Sequence, residues 1–267
     1  MTTMAASART RGRVLPKGWP DFLLQLVLFA LVDLAYESSR MLATGDVATA
    51  FVHARDVVSV EQTFGFFNEI SVQRFALDHP HILDVANLTY FHAHFGVTTV
   101  FMFWLYLRRN DYYYFIRNIV FASMAIALAG YMLYPTAPPR MLTDLGFTDT
   151  LEKFASINHD SSAVLSLSNP FAAVPSVHTC FSLIIGLSCF FLVKWRPLGI
   201  AWLFYPALII FSIVATGNHF WLDAILGAGV AVIAFLIARA IELVRPTLPA
   251  SARRRLRIDR SAPAPAA

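Results

Sequence analysis

Six long apolar runs restrict this chain to folds in which most of it is surrounded by lipid. A helix needs about 20 mostly apolar residues to cross roughly 30 Å of hydrocarbon. The runs lie at 20–40, 80–107, 112–134, 175–194, 197–216 and 219–244. Of the 267 residues, 57% are hydrophobic and 14% are charged, whereas about a quarter are charged in a typical soluble domain. The sequence therefore predicts an all-α, polytopic membrane protein with six transmembrane helices.

The runs divide the chain into three parts. Residues 1–18 form a basic N-terminal tail, residues 19–245 form a six-span membrane domain, and residues 246–267 form a disordered, basic C-terminal tail. The C-terminal tail either lies in solvent or contacts anionic lipids of the cytoplasmic leaflet. Segment 46–78 mixes charged and apolar residues, so we expect it to form amphipathic helices on the outer membrane face rather than a span.

Basic residues are distributed unequally between the two ends of the predicted spans. They are concentrated before residue 18, in the turns at 108–117 and 194–196, and near the C-terminus, whereas the loops 41–79 and 135–174 contain few. Since basic residues are retained on the cytoplasmic side, we predict that both termini are cytoplasmic and both loops face outward from the plasma membrane. The first run is short and has a basic start, so a cleaved secretory signal is the alternative to an uncleaved span.

Two short polar signatures stand at the outward ends of the fourth and sixth runs. The first is Pro175-Ser176-Val177-His178, and the second is Gly217-Asn218-His219-Phe220-Trp221-Leu222-Asp223. On a helix, His219 and Asp223 would lie one turn apart on one face, where the carboxylate can orient the imidazole. His178 begins a different helix at the same depth, and a second imidazole there can protonate a leaving group. These three side chains are the candidate catalytic residues.

Groups that can bind an anion surround the two signatures. Helices that begin near Ser176 and Asn218 would direct N–H groups and positive dipole ends outward, where they can bind a phosphate. Arg140 lies in a proline-rich loop and offers a planar fork suited to phosphate oxygens. We therefore expect these three residues to contact a phosphate.

A further polar face lies on the second run, where Asn87, Tyr90 and His94 recur at spacings of three and four. Polar groups within spans usually face the bundle interior. These residues either contact the lipid headgroup or an acceptor, or form hydrogen bonds between helices. The sequence shows no cluster of metal ligands. Cys180 and Cys189 lie on opposite faces of one run, so they cannot form a disulfide within it, and we interpret both as packing residues.

Three polar segments resemble, in order, the motifs of the type 2 phosphatidic acid phosphatase superfamily. They are Pro135–Arg140, Pro175–His178 and Gly217–Asp223, and the resemblance covers about residues 80–244. The form Tyr-Pro-Thr-Ala-Pro-Pro at 134–139 is similar to that of the inositolphosphotransferase branch, which includes the inositolphosphorylceramide synthases.

The resemblance implies a fold and a mechanism. The fold is the helical bundle of the phosphatidic acid phosphatases and haloperoxidases. The resemblance makes His219 the nucleophile that forms a phosphohistidine, with Asp223 orienting it. It makes His178 the acid that protonates the leaving group and Arg140 a phosphate-binding residue. The family uses neither a metal nor another cofactor.

The chain departs from the phosphatase form of these motifs at three positions. Leu133 stands where a lysine is expected, Met141 where a proline is expected, and Ile213 where an arginine is expected. Two expected cations are therefore missing. A phosphate monoester carries up to two negative charges and a phosphodiester carries one, so these departures favour a diester substrate or phosphotransfer.

The sequence thus predicts an integral membrane enzyme that acts on a lipid-linked phosphate at the outer face, similar to the inositolphosphotransferases. Its expected partners are a lipid phosphate and a lipid or sugar alcohol acceptor, and no nucleic acid. The alternative is a phosphatase for phosphatidic acid or isoprenyl pyrophosphate, in which water is the acceptor. A transporter is disfavoured, because the last three runs carry their polar groups mainly at one end rather than at mid-bilayer.

Overall fold

The computed structural model describes residues 15–42, 47–92, 96–150, 171–256 and 258. These ranges are helical and contain no strand, although one isolated bridge pairs Thr136 with Ala172. The helices are α1 (Gly18–Leu42), α2 (Val47–Thr63), α3 (Glu69–Leu77), α4 (Pro80–His92), α5 (Thr98–Arg108), α6 (Asn110–Leu133), α7 (Val177–Leu192), α8 (Arg196–Ala201), α9 (Tyr205–Ala215), α10 (Trp221–Val244) and α11 (Ala250–Arg255). Short 3-10 turns occur at Pro139–Met141, Thr143–Leu145 and Trp202–Phe204. The predicted all-α class is confirmed for this part of the chain.

Four helical segments of the described ranges are long and apolar enough to cross a membrane. They are Gly18–Ala35, Asn110–Leu133, Arg196–Ala215 and Trp221–Val244. Helix α7 is also apolar but has 16 residues. These helices support a membrane protein, but the predicted number of six spans is not confirmed.

Within the run at 80–107, the structure describes residues 80–92 and 96–107. These ranges contain α4 with 13 residues and α5 with 11 residues, and a π-type turn at Gly96 and Val97 precedes α5. Each of the two helices has fewer than the roughly 20 residues that a span needs, so this run is not among the four segments above.

Helix α10 packs against α6 and α7 and forms much of the bundle interior. Its buried side presents Gly227, Val230, Ala234 and Ala238, at spacings of three and four. Small residues at such spacings let neighbouring helix backbones approach closely. Helix α9 packs against α7, α4 and α3, so the N-terminal part of the chain also lies against the bundle.

Helices α2 and α3 form from the segment expected to be amphipathic, and they pack on the protein. The buried side of α2 consists of Ala50, Ala54, Val57, Val58 and Glu61. The Ala50 carbonyl accepts the Ala137 N–H at 3.0 Å, and His53 Nδ1 donates to the Pro135 carbonyl at 2.8 Å. Helix α2 therefore holds the proline-rich loop that follows α6.

Part of the tail at 246–267, which we expected to be disordered, is folded as α11. Leu248 and Ala252 are buried, and Glu242 near the end of α10 accepts the Leu248 N–H at 2.7 Å. The apolar residues between the arginines supply this packing, which the charge pattern of the tail does not reveal.

Candidate active site

His178 lies in the first turn of α7, two residues after the N-cap. Ser176 is the N-cap, and its Oγ accepts the Thr179 N–H at 3.3 Å, which satisfies an N–H that has no intrahelical partner. Tyr90 of α4 stacks on the His178 ring, with 4.8 Å between ring centroids and 25° between ring planes. The cap and the stacked ring together fix where the imidazole lies.

His219 and Asp223 are in contact, but they are not on one helical face as the spacing predicted. Helix α10 begins at Trp221, so His219 precedes it and Asp223 is its third residue. Asp223 Oδ2 reaches back to accept the Phe220 N–H at 2.9 Å and lies 3.2 Å from His219 Nδ1. A carboxylate at this position commonly caps the helix start, and here the same oxygen also orients the imidazole.

The two histidines meet although one lies in α7 and the other in the loop before α10. Their ring centroids are 5.4 Å apart, with 62° between the ring planes. His219 is 4% exposed and Asp223 is 0% exposed, so their contact is shielded from solvent. An ionised Asp223 accepts only from a protonated nitrogen, so this contact favours the tautomer of His219 with its hydrogen on Nδ1 and with Nε2 unprotonated.

Arg140 lies beside the same segment and contacts three neighbours. Its backbone N–H donates to the Gly217 carbonyl at 2.7 Å, and its Nη1 donates to Asn218 Oδ1. Asp149 Oδ2 lies 3.2 Å from Arg140 Nε, in an ion pair that lacks hydrogen-bond alignment. The sequence did not indicate Asp149, because nothing in its spacing relates it to the arginine.

The N–H groups expected to bind phosphate near Ser176 and Asn218 are engaged within the protein. The Ser176 N–H donates to a backbone carbonyl of α10, at 3.0 Å, and the Asn218 N–H donates to the Ile213 carbonyl, at 2.9 Å. These two bonds hold the signatures in place, so a role for either N–H in binding phosphate stays a prediction.

Asn87 belongs to a hydrogen-bonded network that joins α4 to the loop carrying His219. Its Oδ1 lies 3.1 Å from Thr150 Oγ1, which is also 3.2 Å from the Thr216 carbonyl. Thr216 Oγ1 accepts from Asn218 Nδ2 at 2.7 Å. The structure gives Asn87 a hydrogen bond with Thr150 and stacks Tyr90 on the ring of His178. Contact of either residue with a headgroup or an acceptor stays a prediction. The third member of this polar face, His94, lies outside the described residues.

Two buried glutamates near the site were not identified from the sequence. Glu61 of α2 and Glu69 of α3 are both 0% exposed, and both accept hydrogen bonds from the start of α10. Burial, followed by a hydrogen bond with Glu69, raises the pKa of Glu61 to about 9. The burial of Glu61 could have been inferred from the sequence, because Glu61 continues at helical spacing the stripe formed by Ala50, Ala54 and Val57.

This arrangement brings two imidazoles together and places a guanidinium near them. Asp223 contacts Nδ1 of His219, His178 lies beside His219, and Arg140 donates to Asn218. Groups of these kinds can serve as a nucleophile, a proton-transfer group and a phosphate ligand. The described ranges contain no group of three His, Cys, Asp or Glu side chains clustered for a metal ion.

A family model described as the PAP2 superfamily matches residues 55–237. The chain belongs to the PAP2 superfamily. The match includes both polar signatures and the proline-rich loop, and it supports a phosphatase-like function on a lipid phosphate. No curated protein and no solved structure matches the chain.

Two of the departures from the phosphatase motifs of the PAP2 superfamily can now be located. Leu133 is 81% exposed at the end of α6, and Ile213 is 0% exposed in α9. Neither position supplies a cation to the site. Arg140 donates to Asn218, the residue before His219, and Asp149 partly offsets the charge of Arg140.

Proposed function

We propose that this chain transfers the phosphate group of a membrane lipid through a phosphohistidine at His219, with an inositolphosphotransferase-like activity. The observation that supports this best is the contact of His178 with His219, at 5.4 Å between ring centroids, combined with Asp223 on Nδ1 of His219. Double displacement at phosphorus needs an oriented nucleophile and an adjacent group that moves protons.

In the first step, Nε2 of His219 attacks phosphorus, and the N–P bond forms as the bond to the leaving oxygen breaks. His178 gives its proton to that oxygen, so the alcohol leaves neutral. The substituted ring of His219 keeps its Nδ1 proton and is cationic, and the buried carboxylate of Asp223 offsets this charge. Arg140 stabilises the negative charge on the phosphoryl oxygens.

In the second step, an acceptor hydroxyl attacks the phosphohistidine. Neutral His178 takes the hydroxyl proton as the new O–P bond forms, and the electron pair of the breaking N–P bond returns to His219. An alcohol of a lipid or sugar gives phosphotransfer, and water gives hydrolysis. The same residues serve both outcomes, so the acceptor decides between a transferase and a phosphatase.

The charges around the site favour a phosphodiester substrate. Arg140 is paired with Asp149, and the carboxylate of Asp223 adds a negative charge next to His219. A phosphate monoester with two negative charges would be poorly compensated here, whereas a diester brings one. This charge balance supports the transferase over the phosphatase.

We extend the proposal to the arrangement in the membrane. In this arrangement α4 and α5 together complete a six-span bundle, both termini are cytoplasmic, and the site faces outward from the plasma membrane. It is supported by the position of the site at the N-terminal ends of α7 and α10, since basic residues flank the opposite ends of both helices, at Lys194 and Arg245.

The test follows phosphorus in the purified full-length protein. Phosphatidic acid, isoprenyl pyrophosphate or phosphatidylinositol is supplied with and without a lipid alcohol, and products are separated by phosphorus NMR and mass spectrometry. We expect inositol phosphate on the alcohol, and an alkali-stable, acid-labile phosphoryl adduct on the wild type but not on His219→Ala. The matched control is His81→Ala, since His81 is an exposed histidine.

Each alternative gives a different result. Release of inorganic phosphate regardless of the alcohol would establish the phosphatase instead of the transferase. Turnover without a protein-bound adduct, or turnover by His219→Ala, would contradict the phosphohistidine. Accumulation of the adduct in the absence of an acceptor would support the order of the two steps.

A further inference from the structure

Two buried glutamates join helices α2 and α3 to the beginning of α10. Glu69 Oε1 accepts the Trp221 N–H at 3.1 Å, and Glu61 Oε1 accepts the Leu222 N–H at 2.7 Å. The preceding N–H, of Phe220, donates to Asp223 Oδ2 at 2.9 Å. The first N–H groups of a helix lack intrahelical partners, and here three consecutive N–H groups donate to three different carboxyl groups.

The turn between α2 and α3 strengthens this attachment. Asn68 Oδ1 accepts the indole N–H of Trp221 at 2.7 Å, so the first residue of α10 is held by both its backbone and its side chain. Within the turn, the Phe66 N–H donates to the Glu61 carbonyl at 3.0 Å. Helices α2 and α3 and the turn between them therefore bind the N-terminal end of α10 together.

The remaining oxygens of the two glutamates indicate a shared proton. Glu61 Oε2 and Glu69 Oε2 are buried and have no hydrogen-bond donor in the described part of the chain. Two ionised carboxylates cannot bond to each other, but a single proton between them satisfies both oxygens. Burial and the hydrogen bond with Glu69 raise the pKa of Glu61 to about 9, which agrees with a protonated Glu61 near neutral pH.

We propose that Glu61 and Glu69 are positioning residues that share one proton, fix the first turn of α10 and thereby hold Asp223 against His219. This inference rests on the proposed function, because it gives the pair a part in the same reaction. The pair acts through the backbone of α10 and touches neither the substrate nor the reacting atoms. Its single negative charge lies at the positive end of the helix dipole, where an anion is favoured.

Loss of the shared proton would loosen this attachment. The ionisable groups that face Glu61 are Glu69 from α3 and Asp223 from α10, and His219 contacts the latter. With Glu61 ionised, three buried negative charges would lie together, and like charges in a poorly solvated site repel strongly. The repulsion acts at the turn that sets the direction of His219.

The pH dependence of folding stability follows from the raised pKa of Glu61. The folded protein keeps the proton of Glu61 to about pH 9, whereas the carboxyl has an ordinary pKa of 4.5 in the unfolded chain. The stabilising contribution of the protonated pair is therefore fully present below pH 4.5 and is lost as the pH rises through about 9.

Two variants of Glu61 test whether its hydrogen bonds position the start of α10. Glu61→Gln keeps these hydrogen bonds, and Glu61→Ala removes them. A glutamine can accept from Leu222, donate to Glu69 and release no proton, whereas alanine leaves both groups unpaired. We expect Glu61→Ala to lower kcat by about 100-fold with little change in KM, as a misdirected nucleophile does. Glu61→Gln should restore most of kcat at neutral pH.

The decisive measurement is the ratio of kcat for Glu61→Gln to kcat for the wild type, from about pH 7 to about pH 10. Proton transfer by His178 affects both proteins equally and cancels in the ratio. We expect a ratio near one at neutral pH that rises as the pH passes about 9, where the wild type loses its proton. Asp78→Asn, an exposed carboxylate next to α3, is the control and should give a flat ratio.

Thermal unfolding separates failure of this inference from failure of the proposed function. The midpoint of wild type should fall relative to that of Glu61→Gln as the pH rises, whether or not turnover is detected. A flat kcat ratio with a flat midpoint difference would overturn the inference, as would wild-type kcat in Glu61→Ala. If Glu61→Ala does not fold, the glutamine variant alone decides.

Discussion

The Ser176 backbone N–H donates to the Asp223 backbone carbonyl, with 3.0 Å between nitrogen and oxygen. This bond joins the first turns of α7 and α10, one of which carries His178 while the other follows His219. The next turn of α10 places Gly227 so close that a Cβ there would lie 2.2 Å from the Ser176 carbonyl oxygen. The distance between the two histidines therefore depends on a glycine.

Gly227→Ala should separate the two helices and reduce turnover. Relief of the contact requires a backbone shift, and such overpacking costs about 1–3 kcal/mol. The matched control is Gly229→Ala in the same helix, where an added Cβ meets nothing within 4 Å. We expect a lower unfolding midpoint and lower kcat for Gly227→Ala and neither for Gly229→Ala. Equal behaviour of the two variants would contradict the close approach.

Gly217→Ala should weaken the binding of the phosphate. Gly217 has φ of +69°, and its added Cβ would lie 2.6 Å from Gln73 Nε2, which donates to the Thr148 carbonyl at 2.9 Å. A left-handed residue with a Cβ costs roughly 1–2 kcal/mol, and displacement of Gln73 adds to this. Because Gly217 also accepts the Arg140 N–H, we expect a higher KM.

Gly65→Ala is the control that measures the cost of a left-handed backbone without a steric contact. Gly65 has φ of +76°, and an added Cβ meets nothing within 4 Å. It should lower the unfolding midpoint by the cost of the left-handed backbone alone and leave KM unchanged. A KM effect of the same size in both variants would show that the contact of Gly217 with Gln73 has no part in substrate binding.

The residues that the sequence identified at the site are those whose contacts are local. His219 meets Asp223 within four residues, and His178 follows a serine N-cap, so short patterns are sufficient to suggest them. The exact start of α10 was not predictable from hydropathy, which does not distinguish the residue before a helix from its first turn. The contact of His219 with Asp223 is therefore present, but its expected position on one helical face is wrong, and the catalytic role of the pair stays a prediction.

The residues that the sequence missed depend on long-range packing. Glu61 and the Leu222 N–H it binds are 161 residues apart, and a charged residue in a mixed segment gives no sign of a distant partner. The number of spans stays a prediction for another reason. Four described segments are long enough to span, whereas α7 has 16 residues and the run at 80–107 is described only at 80–92 and 96–107.

Arg140→Lys should impair the enzyme although the charge is kept. The guanidinium reaches Asn218 through Nη1 and Asp149 through Nε, and a lysine cannot make both contacts with a fixed direction. We expect a rise in KM and a fall in kcat, measured as turnover against substrate concentration. The control is Arg55→Lys, whose ion pair with Asp144 is more than half exposed and should contribute little. Wild-type kinetics in Arg140→Lys would show that the guanidinium fork is not needed.

His178→Ala should slow the first step in proportion to how much help the leaving group needs. On a lipid phosphodiester, whose leaving alkoxide must be protonated, we expect the rate of first-product release to fall by about 100-fold to 10,000-fold. On an aryl phosphodiester, which releases a weakly basic phenolate, the initial burst of phenolate should fall much less, although steady turnover still needs His178 as the base of the second step. His219→Ala should give no burst on either substrate, because the nucleophile is absent, and His81→Ala should match the wild type on both. An equal loss of first-product release on the two substrates would assign His178 a role other than the acid.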